Sequence, residues 1–185
     1  MKYSFFLFLF LLTKLSYSQY DIYWTKCYGG SQWDTAYQSI ETYDGGLIIA
    51  GATFSTDGDV TANHGLWNAW LIKTDMMGNI EWQKTYGGSG LDEFNSIVQT
   101  PDSGFVIIGT SASNDFDVTG NHGWSDVWLV KVDHTGNLLW EYSYGGTSFD
   151  MGRQIIPTLD GGFILLSNTS SNDGNVTGNN GGNDI

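Results

Sequence analysis

The sequence predicts an all-β fold, namely part of a β-propeller whose four-stranded antiparallel blades form an incomplete ring. One observation is a repeat: Tyr28-Gly29-Gly30-Ser31 returns 58 residues later as Tyr86-Gly87-Gly88-Ser89, and again as Tyr144-Gly145-Gly146-Thr147. Another is composition, since 25 Gly, 8 Trp, 10 Tyr, 10 Phe and only 2 Pro suit short strands joined by tight turns. One such unit cannot bury both faces of its own sheet, so the copies are expected to stack on one another.

Each unit divides into four predicted strands, which are clearest in the second copy. The second strand contains the unbroken apolar run Phe105-Val106-Ile107-Ile108, which is typical of a strand buried on both faces. The fourth strand alternates, so that Trp82, Lys84 and Tyr86 of the first copy share one face. In the second copy the four strands are expected at residues 95–100, 104–112, 127–132 and 138–144.

Turn residues separate the first strand from the second, and the third from the fourth. An Asp side chain there can cap the turn, and a Gly accommodates a positive φ. The predicted structural turn residues are Asp44, Gly46, Asp102, Gly104, Asp160, Gly162, Asp75, Gly78, Asp133 and Gly136.

The predicted organisation begins with a signal peptide at residues 1–18. Lys2 precedes an apolar run over residues 5–12, and the small residues Ser16 and Ser18 stand before the expected cleavage point. The alternative is an N-terminal membrane anchor. The third copy stops before its third strand, so we expect the chain to be a fragment of a longer protein. The remaining segments are 19–37, with a ring-closing strand at 22–28 and a loop, then blade 1 at 38–95, blade 2 at 96–153 and a truncated blade 3 at 154–185.

The charge of the chain restricts its partners. Seven Lys and Arg face 20 Asp and Glu, a formal net charge of −13, which becomes more negative when Lys2 and Lys14 leave with the signal peptide. Such a surface repels phosphate backbones and anionic lipid heads. We therefore expect no nucleic-acid partner, no membrane insertion after signal cleavage, and a secreted or cell-surface location.

The order of motifs in each unit resembles that of the secreted β-propeller repeats of Bacteroidetes. Tyr-Gly-Gly-Ser is followed by Asp-Gly-Gly, a buried Ile-Ile run, and Trp-Leu-Ile-Lys-x-Asp-x-x-Gly-Asn-x-x-Trp at residues 70–82. The resemblance covers residues 20–185 and implies this fold in an extracytoplasmic protein. Residues 75–82 and 133–140 are also similar to the docking repeats of quinoprotein dehydrogenases, which implies structural hairpins. The cofactor residues of those enzymes have no matching positions here.

These features favour a non-enzymatic module for binding or scaffolding, with an extracellular glycan or protein as partner. The alternative is part of a quinoprotein-like or polysaccharide-active enzyme whose catalytic residues lie outside these 185 residues. Tight hairpins occupy one end of the predicted blades, so function is expected at the other end, on the long loops at 55–68, 113–126 and 171–184. Trp67 and Trp124 lie in these loops and are the predicted ligand-binding residues, because exposed rings stack on sugars or anchor protein partners.

The same loops carry oxygen-bearing side chains around a flexible glycine. Hard cations such as Ca²⁺ take such ligands, so calcium is the one candidate cofactor. The spacing of an EF-hand with its terminal Glu is absent, and Asn175 replaces Asp59 in the third copy. The alternative is that the aspartates hold the loop together through turns. The candidate calcium ligands are Asp57, Asp59, Asn63, Asp115, Asp117 and Asn121.

Overall fold

The computed structural model of the protein describes residues 24–185, and the predicted signal peptide lies outside them. The described chain is all-β, as predicted, with two four-stranded antiparallel sheets and a two-stranded sheet packed together. Within residues 24–185 no helix has the length and apolar character needed to cross a bilayer. The first sheet contains β1 (Asp34–Glu41), β2 (Leu47–Thr53), β3 (Asn68–Thr74) and β4 (Ile80–Tyr86); the second β5 (Asp92–Gln99), β6 (Phe105–Ser111), β7 (Asp126–Val132) and β8 (Leu138–Tyr144); the third β9 (Asp150–Pro157) and β10 (Phe163–Thr169).

The first strand of each sheet is longer than predicted. β5 begins at Asp92, whereas the sequence pattern indicated a start at Asn95. A β-bulge between Phe94 and Ser96 breaks the register at Asn95, and β1 has the same irregularity between Ala36 and Gln38. A bulge interrupts the alternation of inward and outward side chains, so the residues before it lose the periodic signal of a strand.

The sheets pack face to face through apolar residues that the repeat places on alternating sides. One face of the first sheet packs against one face of the second sheet in a single buried cluster. The opposite face of the second sheet packs on the third sheet around Ile155. β6 and β7 are therefore buried along their whole lengths. The first contact includes Ile48, Ala50, Leu71, Ile107, Trp128 and Val130, and the second Val106, Ile108, Val127 and Leu129.

One apolar face has no neighbour among the described residues. Ile164 and Leu166 of β10 are 60% and 45% exposed, whereas Val106 and Ile108, which occupy the same positions in β6, are buried against the third sheet. Phe163 and Leu165, on the other face of β10, contribute to that same contact. The third sheet thus has one covered and one uncovered apolar face.

Residues 24–28 repeat the contacts that β4 makes with the following sheet. Trp24 Nε1 donates to Met76 O at 3.1 Å, as Trp82 Nε1 donates to His134 O at 3.2 Å. The hydroxyl of Tyr28 donates to Gly78 O at 2.8 Å. The segment thus lies where a fourth strand would lie, although it pairs with no strand in the described chain. Residues 22 and 23 of the predicted closing strand lie outside the described residues.

The tight turns use their Asp and Gly residues in two different ways. The positive φ between first and second strands falls on Gly45, Ser103 and Gly161 rather than on the glycines that follow them. Gly46 is needed for space, because an added Cβ would clash with Thr74 O. Between third and fourth strands, Asp75 Oδ1 accepts from Met77 N and Asn79 N at 2.8 Å each, with φ +73° at Gly78. The corresponding turn, with Asp133 and Gly136, has the same arrangement.

A buried lysine joins these turns to the third strand. Lys73 Nζ lies 3.0 Å from Asp44 Oδ2 and 2.7 Å from Glu81 Oε2, and Lys131 Nζ lies 2.8 Å from Asp102 Oδ1. The hydrogen bond from Thr42, followed by those from Lys73 and Gly46, lowers the pKa of Asp44 to about 2. Asp160 of the third sheet has no such lysine in the described residues and accepts from Gly162 N at 3.2 Å.

Candidate functional site

The long loops at 54–67, 112–125 and 170–183 lie at one end of the sheets together with the Tyr-Gly-Gly segments. In the first copy Asp57 Oδ1 accepts from Ser31 N at 2.7 Å, and Asp59 Oδ2 accepts from Gly29 N at 3.0 Å. Asn63 bridges the loop itself, because its amide donates to Ser55 O at 3.1 Å and its oxygen accepts from Gly65 N. Asp115 and Asp117 make the equivalent contacts in the second copy, where the amide of Asn121 donates to Ser111 O and its oxygen accepts from Gly123 N.

These hydrogen bonds bear directly on the calcium hypothesis. The aspartates bind backbone amides 26 and 30 residues away, so they fasten the long loop to the preceding segment rather than closing local turns. Among residues 24–185 no group of three or more His, Cys, Asp or Glu side chains could hold a metal ion. The six candidate ligands hold the long loops in place through these hydrogen bonds, and calcium binding by them stays a prediction.

An aspartate begins each sheet and connects it to the segment before it; Asp92 and Asp150 are buried, and Asp34 is half-buried. Asp92 Oδ2 accepts from Gly88 N and from the hydroxyl of Ser113, both at 2.8 Å, and Oδ1 accepts from the hydroxyl of Ser111. Burial raises the pKa of Asp92, although these hydrogen bonds oppose the shift. Asp34 and Asp150 make the same set of contacts, which shows a structural role common to all three copies.

Both predicted ligand-binding tryptophans line one cleft at this end of the molecule. The cleft has a volume of about 620 Å³, which is in the range of small-ligand sites. Trp67 makes an edge contact with Phe54, with ring centroids 5.4 Å apart, and Trp124 stacks on Phe149 at 5.5 Å. Trp124 is 69% exposed and Phe149 50% exposed. The remaining lining residues are Leu91, Glu93, Thr110, Ala112 and Ser125.

The loop ends bring the walls of the cleft together. Trp67 pairs with Leu91, and Ser125 with Phe149, in equivalent parallel bridges that join one sheet to the segment before the next. Asp92 N donates to Trp67 O at 2.7 Å and fixes this crossing. The cleft consequently draws residues from the second sheet and from the loops and segments that adjoin all three sheets. Leu91 and Phe149 occupy the same position of the repeat, and both line the cleft.

The cleft residues depart from the repeat, whereas the fastening residues follow it. Phe54 corresponds to Ala112 and Ser170, and Trp67 to Ser125 and Asn183. Fold-forming positions such as the aspartate at the start of each sheet are the same in every copy. Phe54, Leu91, Glu93 and Phe149 line the cleft but were not among the predicted site residues. The sequence signal that could have identified them is that each differs from the residues at the same position in the other copies.

Glu93 is the one acidic residue of the cleft, and two neighbours hold it in place. The hydroxyl of Tyr37 donates to Glu93 Oε2 at 3.0 Å, and the amide of Asn95 donates to Oε1 at 3.2 Å. Both donors stand at bulged positions of β1 and β5, where the extra residue redirects a side chain. Burial, reinforced by the charge of Glu93, raises the pKa of Tyr37 to about 12, so its hydroxyl stays protonated near neutral pH.

The carboxylate of Asp126, the first residue of β7, has a hydrogen-bond partner for only one of its two oxygens in the described residues. Asp126 is buried; its Oδ2 lies 2.6 Å from His122 Nδ1, while its Oδ1 has no hydrogen-bond partner in the described residues. The residue at the same position in the first sheet is Asn68, whose Nδ2 donates to Tyr86 O and Gly88 O. Burial raises the pKa of Asp126, and the charge of Asp150 adds to the increase.

Comparison with known proteins adds no functional assignment. No protein-family model matches the chain, and no curated protein is significantly similar to it.

Proposed function

We propose that the protein is a secreted or cell-surface binding module of the β-propeller type, whose three sheets are successive blades and whose aromatic cleft holds an extracellular ligand. The face-to-face packing of sheets along a 58-residue repeat supports the propeller, since a blade expects an apolar neighbour on each side. The position of residues 24–28 against the first sheet supports ring closure by an N-terminal strand.

The observation that carries the binding function is the aromatic cleft. Trp124 and Phe149 expose large apolar surfaces in the same cleft as Leu91, which is 54% exposed, and exposed apolar clusters of this kind mark interaction sites. The residues differ between copies, so packing within the repeat does not require them. The positions that repeat in every copy maintain the fold, whereas the cleft is lined by positions at which the copies carry different residues.

Ligand binding to this cleft is tested by titrating the full chain and following tryptophan fluorescence. The probes are a panel of short uncharged, cationic and anionic peptides together with oligosaccharides. At least one class is expected to bind the wild type and to lose binding in Trp67→Ala and in Trp124→Ala. Trp33→Ala is the matched control, because Trp33 is exposed but does not line the cleft. Binding that survives both cleft substitutions, or that is absent for every probe, would contradict the proposed function.

A further inference from the structure

We propose that the cleft selects a peptide segment with a lysine or arginine side chain beside an apolar one, and that Glu93 and Thr110 receive the cation. This inference rests on the proposed function of the cleft and names the chemical class of its ligand.

The receiving pair consists of two adjacent side chains on neighbouring strands. Glu93 of β5 and Thr110 of β6 are direct cross-strand partners, and both line the cleft. Opposed residues in an antiparallel pair project their side chains to the same face, with Cβ atoms about 5 Å apart. A carboxylate and a hydroxyl at this separation can both accept hydrogen bonds from one ammonium or guanidinium group.

Thr110 provides an independent indication of a missing donor. Its hydroxyl is buried and has no hydrogen-bond partner in the described residues. Buried hydroxyls are nearly always hydrogen-bonded, because an unsatisfied polar group costs free energy. A ligand N–H bound at Glu93 would provide this hydrogen bond.

The acid–hydroxyl pair is specific to the second sheet. Thr35 and Ala52 stand opposite each other at the corresponding positions of the first sheet, and Met151 and Asn168 in the third. The pair is therefore not required by the repeat. It occurs in the sheet that lies between the other two, where the aromatic walls from both neighbours meet.

Charge around the pair also favours a cation. No Lys, Arg or His nitrogen in the described chain lies within ion-pair distance of Glu93, since the ion pairs of the described residues belong to Lys73, Lys131 and His122. Arg153 is near enough for its charge to act on Tyr37, but its guanidinium donates to Asn168 Oδ1 and not to Glu93. The whole chain carries a formal charge of −13, which attracts basic partners to its surface. Indole and phenyl rings in the same cleft add a favourable cation–π interaction.

The chemistry of the walls favours a peptide over a sugar. Sugars present hydroxyl groups around each ring and need several polar partners, whereas the lining offers, besides the two indole N–H groups, polar side chains only at Glu93, Thr110 and Ser125. Ser125 is itself buried. An apolar peptide side chain fills the remainder of such a cleft, as aromatic and aliphatic anchors do at protein interfaces.

The test uses three acetylated and amidated tripeptides, Leu-Lys-Phe, Leu-Gln-Phe and Leu-Glu-Phe, titrated into the full chain by tryptophan fluorescence at low salt. The lysine peptide is expected to bind about fivefold more tightly than the glutamine peptide, and the glutamate peptide most weakly. Glu93→Gln is expected to remove the preference for lysine, and Thr110→Val to reduce it. Glu41→Gln is the control, because it makes the same charge change at an exposed residue outside the cleft.

The outcomes separate this inference from the proposed function. Equal binding of the lysine and glutamine peptides that still depends on Trp67 and Trp124 would overturn the cation site and retain the cleft as a binding site. Binding of oligosaccharides without any peptide would overturn the peptide assignment. A lysine preference that persists in Glu93→Gln would place the cation elsewhere, whereas loss of that preference with an unchanged melting temperature would support the proposal.

Discussion

Replacing Asp126 by asparagine is predicted to stabilise the protein at neutral pH. The first sheet already contains the proposed arrangement, because Asn68 occupies the same position and its Nδ2 lies 3.4 Å from both Tyr86 O and Gly88 O. At Asp126 a carboxylate oxygen replaces that amide, and it has no hydrogen-bond partner in the described residues. The Asn side chain would restore the donor and retain an oxygen for the contact with His122.

The magnitude follows from the cost of a buried unsatisfied polar group. Removing one such group is worth about 1–3 kcal/mol. For a chain of this length this corresponds to a rise in melting temperature of roughly 2–12 °C. The reverse exchange, Asn68→Asp, is the matched control and is expected to destabilise the first sheet, because it places a carboxylate where an amide donates.

The advantage of Asp126→Asn depends on pH. Burial raises the pKa of Asp126 in the folded state above its unfolded value, so the folded protein holds this proton more tightly. Below the unfolded pKa of about 3.9 both states are protonated and the penalty is absent; it grows as the pH rises through the folded pKa and is complete above it. Thermal unfolding followed by circular dichroism from acid to neutral pH measures this. A variant that is equally stable or less stable at neutral pH would refute the reasoning.

Three further predictions concern the fold and the loops. Asp92→Ala leaves the Gly88 amide and two hydroxyls without their buried acceptor and is expected to lower the free energy of unfolding by about 3 kcal/mol; a loss well below 1 kcal/mol in urea titrations would contradict this role. Addition of a chelator is expected to leave the melting temperature unchanged, because the loop carboxylates already bind backbone amides, whereas a clear decrease would support calcium binding by the loops. The exposed apolar face of β10 is expected to promote self-association of the chain. Ile164→Lys is therefore expected to reduce light scattering without unfolding the chain, whereas Val106→Lys should unfold it; equal effects of the two would show that the face of β10 is covered.

Much of the fold was predictable because it repeats. The apolar run at residues 105–108 and the alternation at 82–86 predict β6 and β4, and the structure contains four antiparallel strands in each of the first two units. The starts of β1 and β5 were not predictable from periodicity, since the bulges near Tyr37 and Asn95 reverse the alternation. The position of positive φ within the Asp-Gly-Gly turns also required coordinates, because either glycine can adopt it.

The site was less accessible from sequence than the fold. Trp67 and Trp124 were identifiable as loop aromatics, and they are one register apart in the repeat, so their meeting in one cleft depends on the bridges to Leu91 and Phe149. Glu93 belongs to no recognisable sequence motif, because its place in the cleft is fixed by hydrogen bonds from Tyr37 and Asn95, which only the three-dimensional structure shows. The loop aspartates show the opposite case: their spacing suggested a cation, but their partners are amides in a distant segment.

Amide hydrogen exchange resolved to single residues tests most directly the claim that each sheet relies on apolar neighbours on both faces. Amides of β6 and β7, buried along their whole lengths, are predicted to exchange most slowly and near the rate of global unfolding. The comparison uses only the β10 amides that donate to β9, because β10 pairs with no second strand in the described residues whereas β6 also pairs with β7. With Ile164 and Leu166 exposed, these amides are predicted to exchange markedly faster than the β6 amides that donate to β5, although the two strand pairs share one register. Equal protection of β6 and β10 would contradict the account.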